Sequence, residues 1–207
     1  MLNIKTLTVG PIEANCYLIY NEDEVLIVDP GAEANRIIAA VEDLNVRPVA
    51  ILLTHTHYDH IGAVDEIRKE YDIPVYVSGE EAAWLQDPTM NLSGMQGQNL
   101  IVEEAENIFQ PDNEVAISDF KFTVVATPGH SPGGVSFIFA EDEFVITGDA
   151  LFAGSVGRTD LPGSEAEKLV PNVREKLFIL PDHYTIYPGH SGTSTIGQEM
   201  KTNPFFN

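Results

Sequence analysis

Cysteine is almost missing from this chain. Cys16 stands alone, so no internal disulfide can form, and nothing points to an oxidising compartment. It sits in the apolar run Cys16-Tyr17-Leu18-Ile19-Tyr20, where a small buried residue is expected rather than a reactive thiol. Positive charge is scarce as well: 11 Lys and Arg face 32 Asp and Glu, for a net charge of −21. That balance argues against nucleic acid or an anionic membrane as a partner, since both need a basic surface. It also denies an anionic substrate any help from the overall field. No run of about 18 apolar residues occurs, so no membrane span is expected. The opening Met1-Leu2-Asn3-Ile4-Lys5 lacks a charged segment, an apolar stretch and a small-residue cleavage site, which makes a cytoplasmic location the expectation. Low-complexity stretches, linkers and close repeats are also absent. With 207 residues, one domain over 1–207 is expected.

What is present is concentrated in one place. Residues 54–63 read Thr-His-Thr-His-Tyr-Asp-His-Ile-Gly-Ala, which puts His55, His57, Asp59 and His60 within six positions. The preceding Val49-Ala50-Ile51-Leu52-Leu53 reads as a buried strand, and 61–71 has helical spacing. The cluster therefore falls at the carboxyl end of a strand, where open α/β sheets place ligands. Imidazole nitrogens and carboxylate oxygens suit borderline divalent metals. Alternate residues His55 and His57 can face one ion while Asp59 and His60 turn to a second. A surface histidine cluster without a role is the competing reading, and the density of ligand types at a strand end weighs against it.

The remaining chain alternates strands and helices. Strands are expected at 2–9, 16–20, 25–28, 49–53 and 74–77, with helices at 33–44 and 63–71 and a short one at 80–85. A weakly patterned stretch, 86–110, reads either as a lid or as packing beside the site. Further strands fall at 115–117, 120–126, 135–140, 144–147 and 184–187. A helix at 166–180 should be interrupted near Pro171, and another begins at 196. The second half thus repeats the plan of the first. Three of its strands lead through a glycine to a ligand type: His130, Asp149 and His190. A lone histidine after a strand is more often structural, but the signal recurs at each of these strand ends.

The His-x-His-x-Asp-His run, with Pro128-Gly129-His130, Thr147-Gly148-Asp149 and Pro188-Gly189-His190, resembles the metallo-β-lactamase fold hydrolases. Gly148-Asp149-Ala150-Leu151-Phe152, Gly157-Arg158-Thr159-Asp160, Asp29-Pro30-Gly31, Thr195-Ile196-Gly197 and Asn203-Pro204-Phe205 are similar to its short glyoxalase II-like branch. The resemblance covers essentially the whole chain. It implies a four-layer αβ/βα sandwich, an α/β fold of two similar halves, with a dinuclear site. By the resemblance, His55, His57 and His130 hold one divalent cation and Asp59, His60 and His190 the other, bridged by Asp149. Zinc is the expected metal, with iron or manganese as alternatives. Asp29 is similar to a family aspartate that orients a ligand histidine; a turn-forming aspartate before Pro-Gly is the competing reading. Arg158 falls where glyoxalase II enzymes carry a basic residue for the glutathione moiety; an exposed loop arginine with no partner competes.

Two cations close together can share a hydroxide, which then attacks a carbonyl. A thiolate leaves without a strong general acid, because a free thiol has a pKa of about 8.5. Thioester hydrolysis is therefore the leading expectation, with Asp59 relaying the proton. A mononuclear-iron persulfide dioxygenase using His55, His130 and Asp149 is the rival, and a non-catalytic metal-binding role the third reading. The expected partner is a small-molecule thioester or ester, with the chain a monomer or small homo-oligomer.

Overall fold

A computed structural model describes every residue from Met1 to Asn207. It divides into two compact units. The first holds Met1–Phe109 with the turn Ile117–Phe120, and the second holds Gln110–Ala116 with Lys121–Asn207.

In the first unit, β1 (Asn3–Val9), β2 (Ala14–Tyr20) and β3 (Glu24–Val28) run antiparallel, and β4 (Arg47–Leu52), β5 (Val75–Ser78) and β6 (Asn107–Phe109) continue parallel to β3. The six strands lie in sequence order. β3 is buried along its whole length and β2 along all but its last residue, which fits the apolar runs 25–28 and 16–20 within them. Helix α1 (Ala34–Leu44) buries Ile37, Ala40 and Val41, the three- and four-residue spacing of one helical face. Register then decides what meets at the strand ends. Val28 pairs with Leu52, so Asp29 emerges beside Leu53 and Thr54, and the Asp29 amide donates to the Leu52 carbonyl at 3.0 Å.

The helix expected from residue 61 is two pieces, α2 (Tyr58–Ile61) and α3 (Val64–Tyr71). The break has a tertiary cause. The Ala63 amide donates to Pro30 O at 2.9 Å, and a Cβ on Gly62 would lie 2.3 Å from the Gly31 carbonyl oxygen. The Asp29-Pro30-Gly31 turn therefore occupies the space a continuous helix would need. Segment 86–110 is tied down rather than loose: buried Asn91 donates through its amide to the carbonyls of Trp84 (3.2 Å) and Leu100 (3.1 Å).

The second unit carries β7 (Asn113–Ile117), β8 (Phe120–Ala126), β9 (Val135–Phe139), β10 (Phe144–Gly148), β11 (Thr185–Pro188) and the two-residue β12 (Ser194–Thr195). They form a second six-stranded sheet in the order β12-β11-β10-β9-β8-β7, with β10 and β11 parallel and the β8–β9, β9–β10 and β11–β12 pairs antiparallel. Helix α4 (Ala166–Lys176) runs through Pro171 without the expected interruption. Pro171 is exposed, so water can serve the Glu167 carbonyl left without a donor. Helix α5 (Ile196–Thr202) is capped by Thr195, whose hydroxyl accepts from the Gln198 amide. No helix is long and apolar enough to cross a membrane.

Candidate metal centre

In the first unit the strand-end turn after β4 brings three imidazoles together, all nearly inaccessible: His55 and His57 are 2 % exposed and His60 is fully buried. Ring centroids of His55 lie 4.7 Å from His57 and 4.1 Å from His60. Ligand-capable atoms of Asp29, His55 and His60 all fall within 4.8 Å of one another. The hydrogen bonds around them determine where each proton sits. Asp29 Oδ1 accepts from the Thr54 amide at 2.8 Å, and Oδ2 accepts from the Thr54 hydroxyl at 2.6 Å. That hydroxyl has one proton, already given to Asp29, so its 3.1 Å contact with His55 Nδ1 requires the nitrogen to donate. His60 Nδ1 likewise donates to Asp29 Oδ2 at 3.0 Å. Both rings therefore carry the proton on Nδ1 and turn a lone pair outward on Nε2.

A lone pair on His60 Nε2 faces Asp59 Oδ2 at 3.3 Å. Two acceptors at that distance repel unless a proton or a cation lies between them. Divalent metal ions meet this requirement, and nitrogen with carboxylate oxygen is a donor set they accept. Glycine makes the local backbone possible: a Cβ on Gly31 would lie 1.6 Å from the Asp59 carbonyl oxygen. Around the ligands, Thr56 is held through its amide (2.7 Å) and hydroxyl (2.9 Å) to Oε2 of buried Glu81. Trp84 stacks on His57 with centroids 6.4 Å apart.

The second unit builds its set the same way. Gly148 pairs with Pro188, and the Gly189 amide donates to the Gly148 carbonyl at 2.8 Å, so Asp149 and His190 leave adjacent strands together. Asp149 Oδ2 stands 3.4 Å from His130 Nε2 and 3.6 Å from His190 Nε2. His130 Nδ1 bonds the Arg158 carbonyl at 2.8 Å. A carbonyl can only accept, so this ring too is protonated on Nδ1 with its Nε2 lone pair toward a carboxylate. A Cβ on Gly157 would lie 1.9 Å from Asp149 O and 3.0 Å from the His130 ring, so the chain presses directly on both ligands there. The loop following Asp149 is anchored by buried Glu199, which accepts from the Gly154 amide and the Asn203 side chain, both at 2.8 Å.

Sequence reasoning singled out Asp29 and the seven ligand-type residues. The structure gathers Asp29, His55, His57, Asp59 and His60 in one unit and His130, Asp149 and His190 in the other. Arg158 departs from one of the two readings offered for it. Its guanidinium is exposed, as expected of a loop, but it is not without a partner: Nε and Nη2 fork onto Asp160 at 2.6 and 2.8 Å. What reaches the ligands is its main-chain carbonyl. Glu81 and Glu199 were missed. A lone glutamate after a short strand carries no signal, whereas Asn203, which Glu199 holds, lay in a motif already noted.

The metallo-β-lactamase superfamily model matches residues 9–190. A probable metallo-hydrolase of Streptococcus pyogenes is 49% identical over 93% of this chain and 85% of its own length. The hydroxyacylglutathione hydrolase GloC of Haemophilus influenzae is 35% identical over 100% of this chain and 99% of that protein. Among solved structures, the BLEG-1 B3 metallo-β-lactamase superposes with a TM-score of 0.96 at 40% identity, covering 99% of this chain and 100% of that one. TTHA1623 in a di-iron-bound form reaches 0.87 at 33% identity, over 97% and 99% of the two chains. With its family match and its full-length relatives, the chain belongs to the metallo-β-lactamase superfamily of metal-dependent hydrolases.

Proposed function

We propose that the chain hydrolyses small thioesters in the manner of glyoxalase II, using two divalent cations. The observation that carries this is the common tautomer of His55, His60 and His130: each gives its Nδ1 proton to an oxygen and keeps an Nε2 lone pair for a cation. His55, His57, Asp59, His60, His130, Asp149 and His190 are the residues that would hold the two ions. When bound, such ions would lower the pKa of water toward about 7 and withdraw electrons from a carbonyl. The protein's own residues do the rest. Asp29 orients two ligand rings at once, His60 directly and His55 through Thr54. Trp84 and the buried surroundings of His57 keep bulk water from that side. Asp59, partly open to solvent, takes up the proton released as water adds to the carbonyl. A thiolate then departs without a strong acid. The full-length likeness to GloC supports the thioester as substrate class.

A single-iron oxygenase is the second reading, supported by the likeness to ETHE1 from Myxococcus xanthus, 28% identical with a TM-score of 0.79 over 98% of this chain and 83% of that one. One experiment separates the two. Purified protein is analysed for metals and assayed for S-lactoylglutathione cleavage and for oxygen uptake with glutathione persulfide. About two metals per chain with thioester cleavage, lost on chelation and regained on adding metal, is the expected result. One iron with oxygen uptake and no thioester cleavage would overturn it.

A further inference from the structure

A cavity of about 260 Å³ opens beside Asp59 within the first unit. Its walls are largely apolar, formed by Val9 and Pro11 from the β1–β2 turn, Ala32, Tyr58 and Leu100. Gly31 and Gly62 also line it. The only ionisable groups besides the Tyr58 phenol are two carboxylates, Glu33 and Asp59, and no Lys, Arg or His lines it. Glu33 is already engaged, accepting from the Gly10 amide at 3.0 Å and facing Arg36. A carboxylate-bearing thiol such as glutathione would meet only negative charge here. A neutral hydrocarbon group would meet matching walls, and the volume is on the order of eight waters' share of liquid.

We infer that this cavity receives the acyl half of the substrate, and that it favours apolar, uncharged acyl chains of several carbons over acetyl. The inference rests on the thioester reading above and assigns Leu100 and Gln98, at the cavity's edge, to chain-length selection. Leu100 belongs to segment 86–110, which Asn91 and Ser93 pin through the Leu100 carbonyl and amide. The wall is therefore held in place, as selection by size requires.

The test uses metal-loaded protein and thioesters that share one thiol but carry acetyl, butanoyl or hexanoyl groups. Wild type should favour the longer chains in kcat/KM, and Leu100→Trp should reduce the hexanoyl-to-acetyl ratio at least about 10-fold, since a few methylenes in an apolar pocket are worth that much. Leu100→Ala should move the preference toward longer chains. Gln98→Trp, at an exposed position, repeats the blocking test should Leu100→Trp fail to fold. Independently of turnover, the neutral amide hexanamide should bind wild type more tightly than acetamide by calorimetry, and the blocking variants should remove that difference. Thioester cleavage indifferent to chain length and to these variants would overturn the cavity's role and leave the hydrolase standing. Absence of thioester cleavage with the hexanamide preference intact would leave the cavity and overturn the hydrolase. Variants that change the response to the thiol instead of the acyl group would also overturn the inference.

Discussion

Asp29 accepts the Nδ1 proton of His60 at 3.0 Å while its other oxygen holds the Thr54 amide at 2.8 Å, so one carboxylate joins the ends of two parallel strands to a ligand ring. Replacing it tests whether the proton's location matters. Asp29→Asn keeps an acceptor for the Thr54 amide and tolerates the left-handed backbone at this position (φ 48°). Its NH2 group, however, would face His60 Nδ1 and drive the ring proton to Nε2, removing the lone pair. Metal affinity in chelator competition should fall about 10- to 100-fold, with circular dichroism unchanged. Unaltered affinity would show that His60 does not bind through Nε2.

Gly157 is a sharper steric probe than any ligand substitution, because it leaves every ligand in place. A Cβ there would sit 1.9 Å from Asp149 O, and something must move. Gly157→Ala should cost about 1–3 kcal/mol, lowering the melting temperature by about 2–4 °C per kcal/mol, and should reduce bound metal. Gly192→Ala, with open space around its Cβ position, is the control and should change neither. Equal behaviour of the two variants would show that the backbone at 157 does not support Asp149 and His130.

How much of this was legible beforehand follows from which interactions leave a trace in residue type. The α/β fold was legible because Val25–Val28 and Ala50–Leu53 are buried apolar runs, and α1 spaces its apolar residues helically. The ligand types stood out because each lies where a strand ends. Contributions made by the main chain leave no trace: the Arg158 carbonyl that fixes the His130 tautomer would be the same for any residue at 158. Glu81 is invisible for a related reason, since its task is to bond Thr56, 25 positions away, and only the β4–β5 pairing brings them together. The split between α2 and α3 and the unbroken α4 were misread because local spacing cannot report a distant carbonyl or an exposed proline ring.

Glu24 offers a stability test away from the ligands. A hydrogen bond from Ser118, followed by the charge of and hydrogen bond from Arg47, holds its carboxyl below the ordinary glutamate value. A folded-state pKa below that of the unfolded chain contributes stability above the unfolded value of about 4.3, and the contribution fades as pH falls through the folded value. Glu24→Gln should therefore lower the urea midpoint at pH 7, and the gap from wild type should narrow as the pH is taken below about 4.3. A gap independent of pH would assign the loss to packing instead.

Arg158 and Asp160 allow the side chain and main chain of one residue to be separated. Both side chains are exposed, and their forked pair holds the guanidinium along the loop. In Arg158→Ala the carbonyl that orients His130 remains, so metal content and kcat should stay close to wild type. If the guanidinium reaches the carboxylates of a thiol such as glutathione, KM for that substrate alone should rise several-fold. Asp160→Asn releases the guanidinium from its competing anion, so KM for the same substrate should fall. Opposite movements of KM, at constant kcat and for the charged thiol only, would identify a recognition residue held in reserve by its neighbour. A drop in kcat and bound metal in Arg158→Ala would instead mean that the fork itself positions the carbonyl, and that Arg158 serves His130 and not the substrate.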